Sequence, residues 1–179
     1  DEVLDYIFDA FRPIIPYERI GFSLLNEEKT AVTARWARSD SENIQIGRGY
    51  TAPLEGSTLK DVLASGQPRI LNDLPAYLKR HPKSESTDLI IKEGMLSSLT
   101  CPLIAIGKPV GFMFFSSRTR HTYQNVHVEI FRLIAGQLAT IVEKARLYEE
   151  LLELNQLKNR FLGIAAHDIL VGLGDVDAE

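Results

Sequence analysis

The chain has 179 residues, 45% of them hydrophobic, and a formal charge of −4, enough for one ordinary domain and an extra element. That balance lacks the basic stripe nucleic acid needs, so no nucleic-acid partner is expected. The single cysteine, Cys101, excludes an internal disulfide and any cysteine-ligated zinc or iron–sulfur centre, and it fits a reducing compartment. No apolar run of about eighteen residues and no signal-peptide pattern occurs, so a cytoplasmic piece without membrane contact is expected, and no metal site.

In chain order, Val3, Leu4, Ile7, Phe8 and Phe11 share one face at helical spacing, and Pro13 and Pro16 end that helix. Arg19 to Asn26 alternates as a strand does, Ile20, Phe22 and Leu24 against Gly21, Ser23 and Leu25. The polar stretch Asn26 to Lys29 turns the chain into a second strand, Ala31 to Ala37. Ile44 to Tyr50 reads as a third, short strand. Gly56-Ser57-Thr58 with Asp61 offers helix-start chemistry for Leu59 to Ala64, which stops at Ser65-Gly66. Arg69-Ile70-Leu71 is short and extended, and Asn72-Asp73 turns the chain.

Leu74 to Glu93 is the least regular stretch, with a short helix expected from Thr87 to Glu93. Ser98 to Ile106 and Val110 to Ser116 read as two strands around the turn Gly107-Lys108-Pro109. The order of helix, two strands, mixed middle, two strands and helix is α+β, with one antiparallel sheet carrying helices on its faces.

From Tyr123 to Leu170 little would break a helix: the glycines there are Gly136 and Gly163, and the last proline of the chain is Pro109. Apolar residues recur by fours and threes at Ile134, Leu138, Ile141, Ala145, Tyr148 and Leu152, the seam of a helix that packs on a partner. A second seam, Leu154, Leu157, Phe161 and Ile164, starts two residues later. A competing line through Leu147, Leu151, Leu154, Lys158, Phe161 and Ala165 keeps a strict heptad at the cost of one lysine. Either way, a helix of roughly 70 Å at 1.5 Å per residue is predicted, dimerising as a parallel coiled coil along Ile134 to Leu152, extended by Leu157 and Phe161.

Several phrases resemble a GAF domain, a PAS-related small-molecule sensor module. Gly47-Arg48-Gly49 through Pro53-Leu54-Glu55-Gly56-Ser57 to Ser65-Gly66-Gln67-Pro68 is similar to that family's middle segment. Ser97-Ser98-Leu99-Thr100-Cys101-Pro102-Leu103-Ile104, Gly107 and Val110-Gly111-Phe112-Met113-Phe114 resemble its closing hairpin. Ala135-Gly136-Gln137-Leu138-Ala139 and Ala145-Arg146-Leu147-Tyr148-Glu149 resemble the helix by which such domains leave for an effector. The resemblance implies a sensor domain over 1–150 with a pocket between the sheet and the irregular middle segment. The candidate lining is then Trp36, Tyr50, Asp73, Tyr77, His81, Ile91, Met95 and Ser97. By residue type alone, Trp36 and Met95 belong in a core, and Tyr77 and His81 on a surface.

No particular ligand follows. Cys101 lies within a predicted strand rather than in the accessible position that covalent bilin binding needs. The Asn-Lys…Phe…Asp-Glu set of the cyclic-nucleotide-binding members is absent. Nothing beside His81 supports haem, and Gly47-x-Gly49 is more simply turn glycine than a nucleotide loop.

Asn159-Arg160-Phe161-Leu162-Gly163-Ile164-Ala165-Ala166-His167-Asp168 resembles the phospho-acceptor box of sensor histidine kinases. The chemistry suits the pair. An imidazole is about half neutral near its ordinary pKa of about 6.5 and can attack a phosphoryl group. A carboxylate one residue on can accept the proton of the other ring nitrogen. The resemblance implies His167 as phospho-acceptor and Asp168 as proton acceptor, with 151–170 as signalling helix and start of the phosphotransfer domain. The family's box continues with a basic residue and a proline, whereas Ile169-Leu170-Val171-Gly172-Leu173-Gly174 follows here. Two readings of 171–179 follow from that departure, foreign residues on a cut fragment or a degenerate box, and the first residue Asp1 with the Gly-and-acid tail favours the cut fragment as the expectation. No Gly-rich phosphate loop is present, so ATP, magnesium, a kinase catalytic domain and a response regulator are expected only in a longer bacterial parent system.

Two functions remain open at this point: the input half of a sensor histidine kinase, or a ligand-free dimerisation scaffold of the same fold. A cavity with convergent polar groups separates the first from the second.

Overall fold

The computed structural model describes residues 9–174, with the backbone alone at 134, 138, 142, 145 and 166–174. The chain divides into two units, Asp1–Ala139 and Thr140–Glu179.

The first unit is built on a six-stranded antiparallel sheet of strand order β3-β2-β1-β6-β5-β4. Its strands are β1 (Arg19–Leu25), β2 (Ala31–Ser39), β3 (Thr51–Pro53), β4 (Arg69–Leu71), β5 (Ser97–Ala105) and β6 (Lys108–Ser117). Helices α1 (Leu59–Ser65), α2 (Leu74–Arg80) and α3 (Glu85–Lys92) fill the middle of the chain. Helix α4 (Asn125–Gly174) enters from the first unit and makes up the described part of the second. Most of the predicted first helix, Val3 to Phe8, lies outside the described residues; 9–11 are helical.

Alternation gives the sheet two unlike faces. The register places Ile20 against Phe115 and Phe115 against Leu99, all fully buried. Beside them lie Cys101 and Met113. This face packs under Ile15, Tyr17, Tyr123, Val128 and Phe131. The Phe115 ring meets Phe131 edge-on at 6.2 Å and Tyr17 at 5.5 Å. Burial of one such ring contributes about 1.5–3 kcal/mol, so this face carries much of the stability. The other face aligns Arg19, Ser116, Ser98 and Leu71 in one row and Gly21, Phe114, Thr100 and Arg69 in the next. Small and polar side chains dominate it, so it cannot close on the helices above it without leaving space.

Four expectations need correction. Ile44 to Tyr50 is loop, and the strand is Thr51–Pro53, where Ala52 pairs with Val32. Gly49, at φ +92°, bends the chain out of extension just before it. The hairpin turn is Ile106-Gly107, not Gly107 to Pro109. Both central residues have positive φ, the type I′ geometry that suits a two-residue hairpin. Lys108 and Pro109 therefore belong to β6, and Pro109, which has no N–H to give, sits beside the register shift at Leu103/Ile104. Third, the stretch expected to be least regular holds an unforeseen helix, α2: the Asp73 carboxylate accepts from the Ala76 amide at 2.9 Å and Pro75 occupies the first turn. Fourth, α3 begins at Glu85, two residues before its expected start. By contrast, α1 ends as foreseen, with Gly66 at φ +64° donating to the Val62 carbonyl.

Between residues 140 and 165, large apolar side chains stay exposed, among them Ile141, Tyr148, Leu152, Leu157 and Phe161. The seam positions Ile134, Leu138 and Ala145 have side chains outside the described residues. The helix backbone continues unbroken past His167 and Asp168 to Gly174, without the kink that the phospho-acceptor family's proline would give. The side chains of His167 and Asp168, and residues 175–179 of the predicted tail, lie outside the described residues.

Candidate functional site

A cavity of about 510 Å³ lies on the small-residue face of the sheet, in the first unit. Its floor is the sheet: Gly21, Ser23, Ala34, Ser98, Thr100 and Ser116. Its walls come from 50–53, 55–59, Leu74, Tyr77 and 81–87. The volume lies in the range of small-molecule sites, and the mixture of apolar wall and few polar groups is their usual make-up.

Three polar groups are tied together at one side. The Arg69 Nη1 donates to the Thr58 hydroxyl, which also bonds the Tyr77 hydroxyl at 2.7 Å. The Arg69 guanidinium lies 5.9 Å from the centre of the Tyr77 ring, and His81 stacks on that ring at 4.2 Å. The consequence is visible at α1, where Thr58 occupies the N-cap position but makes no side-chain cap, its hydroxyl being spent on Arg69 and Tyr77. Ser57 substitutes, accepting from the Leu59 amide at 3.2 Å. Burial pulls the Arg69 guanidinium below its usual pKa, opposed by Tyr77 and by the more distant charge of Asp61. Burial likewise raises the Tyr50 phenol, aided by Glu85.

Arg19 also borders the cavity but is already engaged. Its Nε donates to the Glu93 carboxylate at 2.6 Å and its Nη2 to the Ile46 carbonyl at 2.7 Å. The other Glu93 oxygen accepts from the amides of Gln45 and Ile46 at 2.8 and 2.9 Å. This buried pair therefore pins the loop before β3 to the end of α3 and to β1.

Of the eight candidate lining residues, Trp36, Tyr50, Tyr77 and His81 border the cavity, and Asp73, Ile91, Met95 and Ser97 do not. Trp36 is only half-buried rather than a core residue, and its ring lies 6.3 Å from Phe22, with which it is paired in register. Tyr77 is buried, not a surface residue. Asp73 is committed to capping α2 and to an ion pair with Arg120 at 3.3 Å. Met95 is fully buried core. Ile91 and Ser97 miss by one position: Ile90 and Ser98 line the space instead. One residue turns a helical side chain by about 100° and a strand side chain to the opposite face. Ser97 accordingly points away and donates to the Thr119 carbonyl at 2.7 Å. Sequence reasoning missed Arg69, Thr58 and the hydroxyls of Ser98, Thr100 and Ser116. Arg69 carried one usable signal, a cation in a short, otherwise apolar strand.

The family model described as GAF domain matches residues 1–143. Comparison with curated proteins finds no match. Among solved structures, the GAF domain of a two-component sensor histidine kinase from Bacillus halodurans is similar, with TM-score 0.65 and 18% identity, over 83% of this chain and 97% of that one. A domain of a putative two-component sensor histidine kinase from Sinorhizobium meliloti 1021 has TM-score 0.57 and 18% identity, over 83% and 94%. The GAF domain of a phosphoenolpyruvate-protein phosphotransferase from Coxiella burnetii has TM-score 0.65 and 15% identity, over 83% and 85%. At these identities the likeness concerns the fold alone.

Proposed function

This chain belongs to the GAF domain family, and we propose that it is the sensory input segment of a bacterial two-component histidine kinase. A small molecule held on the sheet biases a dimeric C-terminal helix, and that helix presents His167 to a kinase domain on the parent protein. The observation that carries the reading is the cavity of about 510 Å³ with Arg69, Thr58 and Tyr77 converging on it, where a pure scaffold would pack that space with apolar side chains. Two further features support it: similar folds occur in domains of sensor histidine kinases, and the segment 159–168 resembles a phospho-acceptor box. Among the described residues no helix is long and apolar enough to cross a membrane, and the segment works in the cytoplasm, where ATP and a response regulator are available.

The experiment supplies the parent kinase's ATP-binding domain, with magnesium and radiolabelled ATP, to the full chain. Acid-labile, base-stable phosphate is expected on His167, lost in His167→Gln because an amide is no nucleophile, and slowed in Asp168→Asn because proton acceptance is gone. Label that persists in His167→Gln overturns the phospho-acceptor role. Labelling that no small molecule changes would return the domain to the scaffold reading.

A further inference from the structure

We propose that the cavity takes a small organic carboxylate, seated on Arg69; this inference rests on the sensory reading above and names the ligand's chemistry. Arg69 is a half-buried cation on the cavity wall. Among the described residues no carboxylate lies within ion-pairing distance of it, and Asp61 acts only through space. Its hydrogen bonds go to neutral hydroxyls, from Nη1 to Thr58 and to Tyr77. Its Nε has no hydrogen-bond partner among the described residues. A guanidinium is matched to a planar carboxylate, which it holds through parallel hydrogen bonds.

The rest of the site supports that occupant. Thr58 and the Tyr77 ring hold the guanidinium in place at the cavity wall. A buried polar group normally finds a partner, and a buried charge is normally paired. Arg19, on the same cavity, shows the paired state: its own Nε is satisfied by Glu93 at 2.6 Å. Arg69 is thus the arginine of this site that has no carboxylate partner among the described residues. Against Arg69 and Lys83 stand Glu55 and Glu85, with Arg19 already spent on Glu93, so the space is close to charge balance and suits a monoanion better than a phosphate dianion. The body of the molecule meets Val32, Ala34, Leu71 and Phe114 together with the serine and threonine hydroxyls of the floor, so an apolar or aromatic frame carrying a hydroxyl or amine is accommodated.

The test uses the full chain and paired probes: benzoate, indole-3-acetate and octanoate, each beside its primary amide, with phenyl phosphate and inorganic phosphate as further anions. Binding is followed by calorimetry and by the Arg69 Nε–H resonance, assigned by its loss in Arg69→Gln. At least one carboxylate is expected to shift that resonance, to bind at least tenfold more tightly than its amide, and to lose at least tenfold in affinity in Arg69→Gln. The unliganded Arg69→Gln protein is expected to melt no lower than the unsubstituted one, because it removes a half-buried charge that no described carboxylate pairs. Amides that bind as well as carboxylates, or a carboxylate held equally by Arg69→Gln, overturn the carboxylate and leave the sensory reading standing. Preference for phenyl phosphate or phosphate overturns it in favour of a phosphorylated ligand. If no probe binds and Arg69→Gln melts lower, Arg69 is a structural strut, and both this inference and the sensory reading fall.

Discussion

Arg19 and Glu93 meet at 2.6 Å, their side chains only 3% and 0% exposed, across 74 positions of sequence. Glu93 sits at the C-cap of α3, where the helix dipole disfavours a carboxylate. Its position is sustained by Arg19 and by the two amides of Gln45 and Ile46. Burial draws the Arg19 guanidinium below its usual pKa, and Glu93 opposes that. Glu93→Ala strands the guanidinium and frees the loop, and it is expected to cost about 3–5 kcal/mol in urea unfolding. Arg19→Met with Glu93→Leu is expected to cost clearly less than that single change, because neither charge remains. Equal losses would show that the loop contacts, not the charge, dominate.

Tyr123 is a second buried polar site, of opposite kind. Its hydroxyl is shut from solvent without a partner among the described residues, and burial pushes its pKa far above the usual phenol value. Tyr123→Phe removes only that oxygen and keeps the ring beside His127. Stabilisation of about 1 kcal/mol is expected, a rise of about 2–4 °C in Tm. A lower Tm would mean that the oxygen is satisfied by a bound water.

How far the sequence carried this fold depends on range. Strand alternation at Ile20, Phe22 and Leu24 is a local signal, and β1 appeared where expected. The stop at Gly66 is equally local. Asp73-Leu74-Pro75 was also legible as a cap with proline in the first turn, but α2 has only seven residues and too little periodicity to announce itself. The site was less legible because it is made of register. Whether Ser97 or Ser98 faces the cavity is fixed by the pairing of Ser98 with Ser116, which no single strand reveals. Arg69 offered only its charge within a short apolar strand; that no described carboxylate reaches it is a property of the folded chain.

The Asp73 carboxylate accepts from the Ala76 amide, and that bond, with Arg120 nearby, holds it below its ordinary value of 3.8. A depressed folded value means that the charged cap stabilises above 3.8 and that this contribution fades as pH falls through it toward the folded value. Asp73→Asn keeps an acceptor at the cap but cannot titrate. The stability gap between the two proteins is therefore expected to be flat from pH 7 to about 5 and to narrow below 3.8. A gap that widens on acidification would reverse the sign and remove Asp73 from the cap's energetics.

Exposed leucines on α4 bear on assembly. Leu152 and Leu157 both face solvent in the single chain, and a partner helix is the economical way to cover them. A parallel homodimer is expected, since a two-fold bundle brings the two His167 positions together. Replacing Leu152 and Leu157 by Asp should give a monomer on sedimentation, with the sheet domain's unfolding transition unchanged. An unsubstituted chain that is monomeric at high micromolar concentration would refute the dimer.

Two apolar lines compete on that same helix. The seam Tyr148–Leu152 and the strict heptad Leu147–Leu151–Leu154–Phe161 are both exposed, so the single chain does not choose between them. Residue 153 shows no break in the helix, and the seams cannot both face a partner in one continuous register. Two packings of similar energy make a bistable element, and a ligand that moves the start of α4 near Tyr123 could tip it. Deleting Leu152 through Leu154 preserves the helix but rotates everything beyond by about 60° relative to what precedes. If the parent protein is the histidine kinase proposed above, the deletion is expected to leave His167 phosphorylated but no longer responsive to a ligand of the sheet domain. Output that stays normal in level and normally regulated would mean that helix phase does not carry the signal.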